Sequence, residues 1–267
     1  MDKIGIIAGS RKFPLLLAQK AREQGLGVVA IAIKGDTSRS IKEFADKVEW
    51  IKIGDFKKIA SIFKKYDVVN VAMVGQINPL RLFDRRLRAN KDVTALLESV
   101  KDKRADSIFG AIAQMLSADG LKVLDSTLFL KDFLPKKGVL TSREPDFKQW
   151  QDIYFGAELA RELAFLDIGQ SIAVKDKAVV AAEALEGTDA LIRRAGLITR
   201  GGAVVVKVSK PKQDMRFDIP VVGLNTVRNL ISSRAGCLAI EAGKTLFIDM
   251  DASLKLANSK KLIIVAI

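Results

Sequence analysis

The chain has 267 residues, 49% hydrophobic and 28% charged, a globular composition long enough for one or two cores at ~150 residues per domain. Its formal charge is +13, which favours anionic partners such as phosphate esters, nucleic acid or an anionic membrane surface. It has no histidine, which excludes a Ser-His-Asp triad, an imidazole general base and a histidine-held zinc.

Met1-Asp2-Lys3-Ile4-Gly5 runs straight into a strand-like segment, so no cleavable signal is expected. Lys3 to Ala8 is an apolar run ended by Gly9-Ser10, and Pro14 opens a helix that Gly25 and Gly27 stop. Val28 to Ile33 and Val48 to Ile53 read as the next strands, with Asp55 as N-cap of a helix over Phe56 to Lys65. Val68 to Val74 is a fourth strand, ending in Gly75-Gln76. This alternation predicts parallel βαβ units with right-handed crossovers. Residues 80–118 read as helical, because Leu80, Phe83 and Leu87, then Val93, Leu96 and Leu97, then Ile108, Ile112 and Met115 recur at helical spacing. Leu121 to Leu124 looks like a last strand.

Two prolines and a glycine in residues 131–145 suggest a linker. A second αβ block follows, with a helix over Asp146 to Leu166 and an antiparallel pair, Ser171 to Val174 with Ala178 to Ala182. A helix after Glu186-Gly187-Thr188-Asp189 is expected to end at Gly196. Ala203 to Val208 reads as a buried strand, and a helix follows from about Thr226 to Arg234. Leu238 to Glu241, Thr245 to Ile248, a helix from Asp251 and a strand over Leu262 to Ala266 close the chain. Cys237 lies in an apolar run and cannot form an internal disulfide, so a reducing, cytoplasmic setting is expected. The chain has no run of ~18 apolar residues, so no transmembrane helix is expected.

Chemistry-bearing residues gather in a few places. Gly9 and Ser10 lie where α/β folds bind phosphate, at a strand end before a helix. Gly75 and Gln76 occupy the same rim. The glycines can equally serve as tight turns. The segment is not G-x-G-x-x-G, and Lys34-Gly35 stands where a dinucleotide enzyme would place its ribose-binding acid, with Asp36 late; both argue against NAD. Arg81, Arg85, Arg86, Arg88, Lys91, Lys101, Lys103 and Arg104 could grip phosphate, but read better as the solvated face of amphipathic helices. Few aromatics, 6%, interleave with the lysines, so a single-strand nucleic-acid binder is weakly supported.

In Glu186-Gly187-Thr188-Asp189, Thr188 or Asp189 could cap the next helix, while Glu183 and Glu186 at a strand end could face a cleft. Lys210-Pro211-Lys212-Gln213-Asp214-Met215-Arg216-Phe217-Asp218 places two carboxylates four apart among cations. That suits either a solvated, self-neutralising loop or a site holding an anion with a divalent metal. Without histidine, such a metal would be a hard ion held by oxygen, Mg²⁺ or Mn²⁺.

Together these segments resemble one family. Ile6-Ile7-Ala8-Gly9-Ser10 with Phe13-Pro14-Leu15, Leu166-Asp167-Ile168-Gly169-Gln170-Ser171, Glu186-Gly187-Thr188-Asp189 with Arg193-Arg194-Ala195-Gly196, Lys210 to Pro220, and Ile240 to Thr245 are similar to the UDP-2,3-diacylglucosamine pyrophosphatases of the LpxI type. Arg11-Lys12 and Ile77-Asn78 depart from that pattern. The resemblance implies an α/β protein of two domains. A Rossmann-like parallel sheet over 1–130 would face the UDP moiety, and, after the 131–145 linker, a mixed α/β domain over 146–267 would carry the acylated sugar phosphate and the catalytic residues.

It also implies Mg²⁺- or Mn²⁺-dependent cleavage of the pyrophosphate to UMP and 2,3-diacylglucosamine 1-phosphate, a step of lipid A synthesis. On this reading Asp214 and Asp218 are catalytic, Lys210 and Arg216 bind phosphoryl oxygens, and Gly9, Ser10, Gly75 and Gln76 hold the nucleotide. Asp214, Glu183, Glu186 and Asp189 are the metal candidates. The expected partners are a lipid-nucleotide substrate and, peripherally, the anionic inner-membrane surface; no nucleic acid is expected, and a homo-oligomer is compatible. The rival readings are a Rossmann-type nucleotide-sugar oxidoreductase and a non-catalytic basic RNA- or lipid-binding protein.

Overall fold

The computed structural model describes residues 2–78, 81, 83–211 and 213–267. Leu80 of the expected helix and Lys212 of the charged loop lie outside the described residues. The chain divides into two compact units, Met1–Lys131 with Asp214–Asp218, and Asp132–Gln213 with Ile219–Ile267.

The first unit is built on β1 (Lys3–Ala8), β2 (Gly27–Ile33), β3 (Lys47–Ile51), β4 (Asn70–Val74) and β5 (Lys122–Val123). They form one parallel sheet in the order β3-β2-β1-β4-β5. That order reverses between β1 and β4, and in such sheets the ligand crevice lies outside the strands' carboxyl ends at this point. The central strands β1, β2 and β4 are buried on both faces along most of their length, as a covered parallel sheet requires, while the edge strands β3 and β5 carry Lys47, Glu49 and Lys122. α1 (Phe13–Glu23) buries Leu17, Ala18 and Ala21. α2 (Ile59–Lys65) contributes Phe63 to a core with Ile7, Val29, Ile31 and Met73.

The long helix expected over 80–118 is three: α3 (Arg85–Arg88), α4 (Lys91–Ser99) and α5 (Ala105–Ala118). Asn90 causes the first break, since its side chain caps α4 by accepting from the Asp92 and Val93 amides. Asp55 is not an N-cap; it lies inside a 3₁₀ segment, Ile53–Lys58, and accepts from the Lys52 amide.

The second unit carries β6 (Gly138–Val139), β7 (Ser171–Lys175), β8 (Ala178–Ala182), β9 (Val204–Lys207), β11 (Cys237–Ile240) and β13 (Ile263–Ala266) in the order β6-β13-β11-β9-β7-β8. β9, β11 and β13 run parallel, while β6, β7 and β8 pair antiparallel with their neighbours. β6 shows that the 131–145 stretch supplies a strand to this sheet. β10 (Val221–Val222) and β12 (Leu246–Phe247) form a separate parallel pair.

α6 (Phe147–Phe165) covers one face, on Val204, Val206 and Val208; Asp146 caps it through a reciprocal bond pair with Gln149. α7 (Thr188–Thr199), α8 (Leu224–Ser232) and α9 (Met250–Ser259) cover the other, where Val205 and Leu238 point. Gly196 does not end α7. A Cβ there would lie 2.6 Å from Ser233 Cβ, so it is the residue that lets the end of α8 approach. Cys237 is buried, and burial pushes its thiol up to about 12, leaving it an inert core residue.

Candidate functional site

At the switch point of the first sheet the structure brings together all four residues expected at the nucleotide rim. The Gly9 amide donates to Val74 O at 2.8 Å and the Ser10 amide to Gln76 O at 2.8 Å. Ser10 Oγ donates to the same carbonyl at 2.7 Å. The glycines are set by this stitching. Gly75 has φ +89°, and a Cβ on it would sit 2.7 Å from Ser10 O; a Cβ on Gly9 would sit 2.8 Å from Gln76 O. The Gly9 and Ser10 amides are therefore committed within the fold. The exposed Gln76 side chain and the first turn of α1 are what this rim offers a ligand. Gly75→Ala should destabilise the protein by about 1–3 kcal/mol, read as a lower denaturation midpoint.

Asp36, the acid nearest the end of β2, has a side chain only 5% exposed, against Arg81 Nη2 at 2.9 Å. A ribose diol has no open carboxylate there, and the oxidoreductase reading loses its best residue. Of the remaining basic cluster, Arg85, Arg86 and Arg88 are exposed and Arg104 pairs with Asp102 at 2.6 Å, the solvated-face arrangement.

The Asp214–Asp218 segment, in the second half of the sequence, packs with the first unit. Ser126, just past β5, donates to Met215 O from its amide and its Oγ, both at 2.9 Å. Phe217 packs on Phe109 of α5 with ring centroids 6.0 Å apart. The segment thus sits at the carboxyl edge of the parallel sheet, the edge that also carries Gly9, Ser10, Gly75 and Gln76. Asp214 and Asp218 are joined through the backbone, Asp218 N–H to Asp214 O at 3.0 Å. Arg216 grips Asp214 with a forked contact, Nε to Oδ1 at 2.9 Å and Nη2 to Oδ2 at 2.7 Å. This hydrogen bonding outweighs partial burial and holds the Asp214 carboxyl below the usual carboxylate range. Asp214 is therefore an anion at neutral pH, suited to hold a cation or orient water and poorly suited to take a proton.

The second unit gathers charge at the carboxyl ends of β9 and β11. Lys210 pairs with Asp167 at 2.6 Å, both largely buried. Ser209 donates to Glu241 Oε2 from its amide at 2.8 Å and from its hydroxyl, and Lys244 reaches Glu241 Oε1 at 2.8 Å. Beside them Lys207 is 7% exposed and Glu183 8% exposed. Lys207 Nζ donates to Thr188 Oγ1 at 2.8 Å, and Thr188 Oγ1 to Glu183 Oε1 at 2.9 Å. Burial pushes the Glu183 carboxyl up, but attraction to Lys207 and bonds from Ser171, Thr188 and the Gln170 amide hold it below its ordinary value. Thr188 is thus no helix cap: Gly187 is the N-cap residue of α7, and the Thr188 hydroxyl bridges Lys207 and Glu183.

The expected metal candidates in this unit are engaged separately. Glu183 belongs to Lys207 and Thr188, Glu186 pairs with Arg194 at 3.2 Å, and Asp189 accepts from Asn225 at 3.3 Å. Among the described residues no three acidic or cysteine side chains gather as a metal cage. Mg²⁺ asks for less, since one or two carboxylates with substrate phosphates and water complete its shell. Asp214 and Asp218 share one short turn, whereas Glu183, Glu186 and Asp189 each lie with a different partner.

Residues 3–133 match the LpxI N-terminal domain and residues 136–265 the LpxI C-terminal domain. The chain belongs to the LpxI family. A relative from Caulobacter vibrioides, named UDP-2,3-diacylglucosamine pyrophosphatase LpxI, is 27% identical over 100% of this chain and 98% of its own length. Two solved structures show a partial likeness. The biotin carboxylase subunit of pyruvate carboxylase has TM-score 0.29 and 11% identity over 69% of this chain and 38% of its own. Glycinamide-RNase-transformylase T from Mycobacterium tuberculosis has TM-score 0.25 and 13% identity over 68% and 44%. The chain spans under half the length of these two proteins.

In this LpxI-family chain, sequence reasoning assigns no site role to Lys207, Ser171, Asp167, Ser209 or Glu241, and reads Thr188 only as a helix cap. Lys207 had a legible signal, a cation inside the apolar run Val204 to Val208, where lysine is rare unless paired. Its partner Glu183 lies 24 residues upstream, and no periodicity links the two.

Proposed function

We propose that this chain hydrolyses the pyrophosphate bond of UDP-2,3-diacylglucosamine to UMP and 2,3-diacylglucosamine 1-phosphate, with Mg²⁺ or Mn²⁺. The observation that carries the reading is the Asp214–Arg216–Asp218 turn on the carboxyl edge of a parallel nucleotide-binding-type sheet. The end-to-end relation to a protein named for this reaction supports it.

Water attacks one phosphorus, the new P–O bond forms, and the bridging P–O bond breaks. The departing phosphate carries the electron pair away, and one proton of the water is released to solvent. Asp214, held ionised by Arg216, and Asp218 would hold the hard cation, which when bound neutralises phosphoryl oxygens and stabilises the charge that grows in the transition state. Arg216 and Lys210 would bind phosphoryl oxygens. For Lys210 this means exchanging or sharing its Asp167 partner. Gln76 and the first turn of α1 would meet the nucleotide.

The test is incubation with UDP-2,3-diacylglucosamine, scoring UMP with and without Mg²⁺ or Mn²⁺. UMP should form with metal and cease with chelator. No UMP under any of these conditions would sink the reading. Hydrolysis in ¹⁸O-water then locates the attacked phosphorus, with label expected in the lipid phosphate if water attacks on the sugar side.

A further inference from the structure

Two large side chains on the last turns of α7 stand in solvent, Leu197 at 83% and Ile198 at 57% exposure, in a helix that buries Leu191, Ile192 and Ala195. Exposed cations lie nearby on the same helix, its cap and the adjoining turn. Arg193 and Arg200 are exposed on the same element and its cap. Arg234 begins beside the turn that follows, since Gly202 N–H donates to its carbonyl at 2.7 Å and a Cβ on Gly201 would lie 3.0 Å from Arg234 Cβ. Lys175 closes the helix end, Nζ reaching Gly201 O at 2.9 Å.

Carboxylates are missing from this part of the chain. Residues 190–213 contain no Asp or Glu, and residues 219–240 contain none. Among the acids on adjoining elements, Glu186 is taken by Arg194, Asp189 lies in the opposite, first turn of α7, Asp251 lies in the first turn of α9, and Asp176 stands in the β7–β8 turn next to Lys175 and Lys177.

Exposed aliphatic side chains with exposed arginines close by match an anionic bilayer, whose headgroups take the guanidinium groups while the acyl region takes the apolar tips. Arginine serves here better than lysine, because its fork binds phosphate through two N–H groups. We infer that the C-terminal end of α7, with Leu197 and Ile198 at its centre and Arg193, Arg200 and Arg234 around them, is the surface by which this protein docks on an anionic membrane. The inference rests on the lipid-substrate reading above, since a diacylated substrate resides in such a membrane, and it goes further by assigning the docking face.

The test is co-flotation with vesicles of phosphatidylethanolamine and phosphatidylglycerol, set against vesicles of phosphatidylcholine alone. The wild-type protein should float with the anionic vesicles and release in high salt. Leu197→Ser with Ile198→Ser should cut that partition by about tenfold or more, and Arg193→Gln with Arg200→Gln should remove the anionic preference. Both pairs are exposed, so thermal melts should match wild type. UMP release from detergent-dispersed substrate should be unchanged in both. Undiminished flotation of the Leu197/Ile198 variant overturns the proposal. So does a wild-type protein that ignores anionic vesicles, or a variant that only converts an oligomer to a smaller species. If no protein releases UMP, the hydrolase reading fails, while flotation still reports on the docking face.

Discussion

Asp214→Asn is expected to lower turnover of UDP-2,3-diacylglucosamine by about 10³-fold or more, several kcal/mol of transition-state stabilisation. The substitution preserves the size of the side chain and removes its charge. What anchors the segment, Ser126 on Met215 O and Phe217 on Phe109, does not involve that carboxylate, so the melting curve should stay close to wild type. Loss of activity with the fold retained assigns the effect to the site. Asp214→Asn with near-normal turnover would show that the forked pair with Arg216 is only a loop brace.

Arg216→Met gives an independent reading of the same geometry. Arg216 is the largest influence holding the Asp214 carboxyl low, so removing it should return that group toward its ordinary value. The acid limb of the kcat/KM profile should then move to higher pH, because Asp214 becomes protonated earlier as pH falls. A limb that stays in place would mean that Asp214 does not govern it.

Much of the fold was written in local patterns. Val28 to Ile33 and Val204 to Val208 announce buried parallel strands through their unbroken apolar character, and both lie in sheets covered on two faces. The site was legible in part. Gly9 and Gly75 were recognised as rim residues, and the turn reading accounts for them, since each permits a backbone-to-backbone approach. What stayed hidden was long-range. Ser126 and Met215 are 89 positions apart, and nothing in either segment tells that Asp214–Asp218 returns to the first unit's sheet. Glycine commonly stops helices, so Gly196 reads locally as a helix end, whereas in the fold it clears space for Ser233 of the neighbouring chain segment. Thr188 resembled a cap because caps are local, while its real partners, Glu183 and Lys207, come from two different strand ends.

That last group carries the second large effect. Lys207→Met should cost about 3–5 kcal/mol, because it leaves the Glu183 carboxylate buried without its cation, lowering the melting temperature by roughly 10 °C. The double variant Lys207→Met, Glu183→Gln should recover most of this, since Gln still accepts from Thr188 Oγ1 and leaves no charge to desolvate. The pH dependence separates this from simple loss of packing. In the wild type the folded Glu183 lies below its unfolded value, so its contribution is fully present above the unfolded pKa and is lost as pH falls through the folded one. Without Lys207, burial should dominate and place the folded carboxyl above its unfolded value. The sign then reverses: the variant should gain stability when taken from pH 7 down toward pH 5, as the buried acid is neutralised, whereas this group leaves the wild type flat over the same interval. Denaturant melts at the two pH values measure both slopes. Parallel slopes, or a double variant no more stable than Lys207→Met alone, would mean that Lys207 contributes bulk to the end of β9 and no counter-charge.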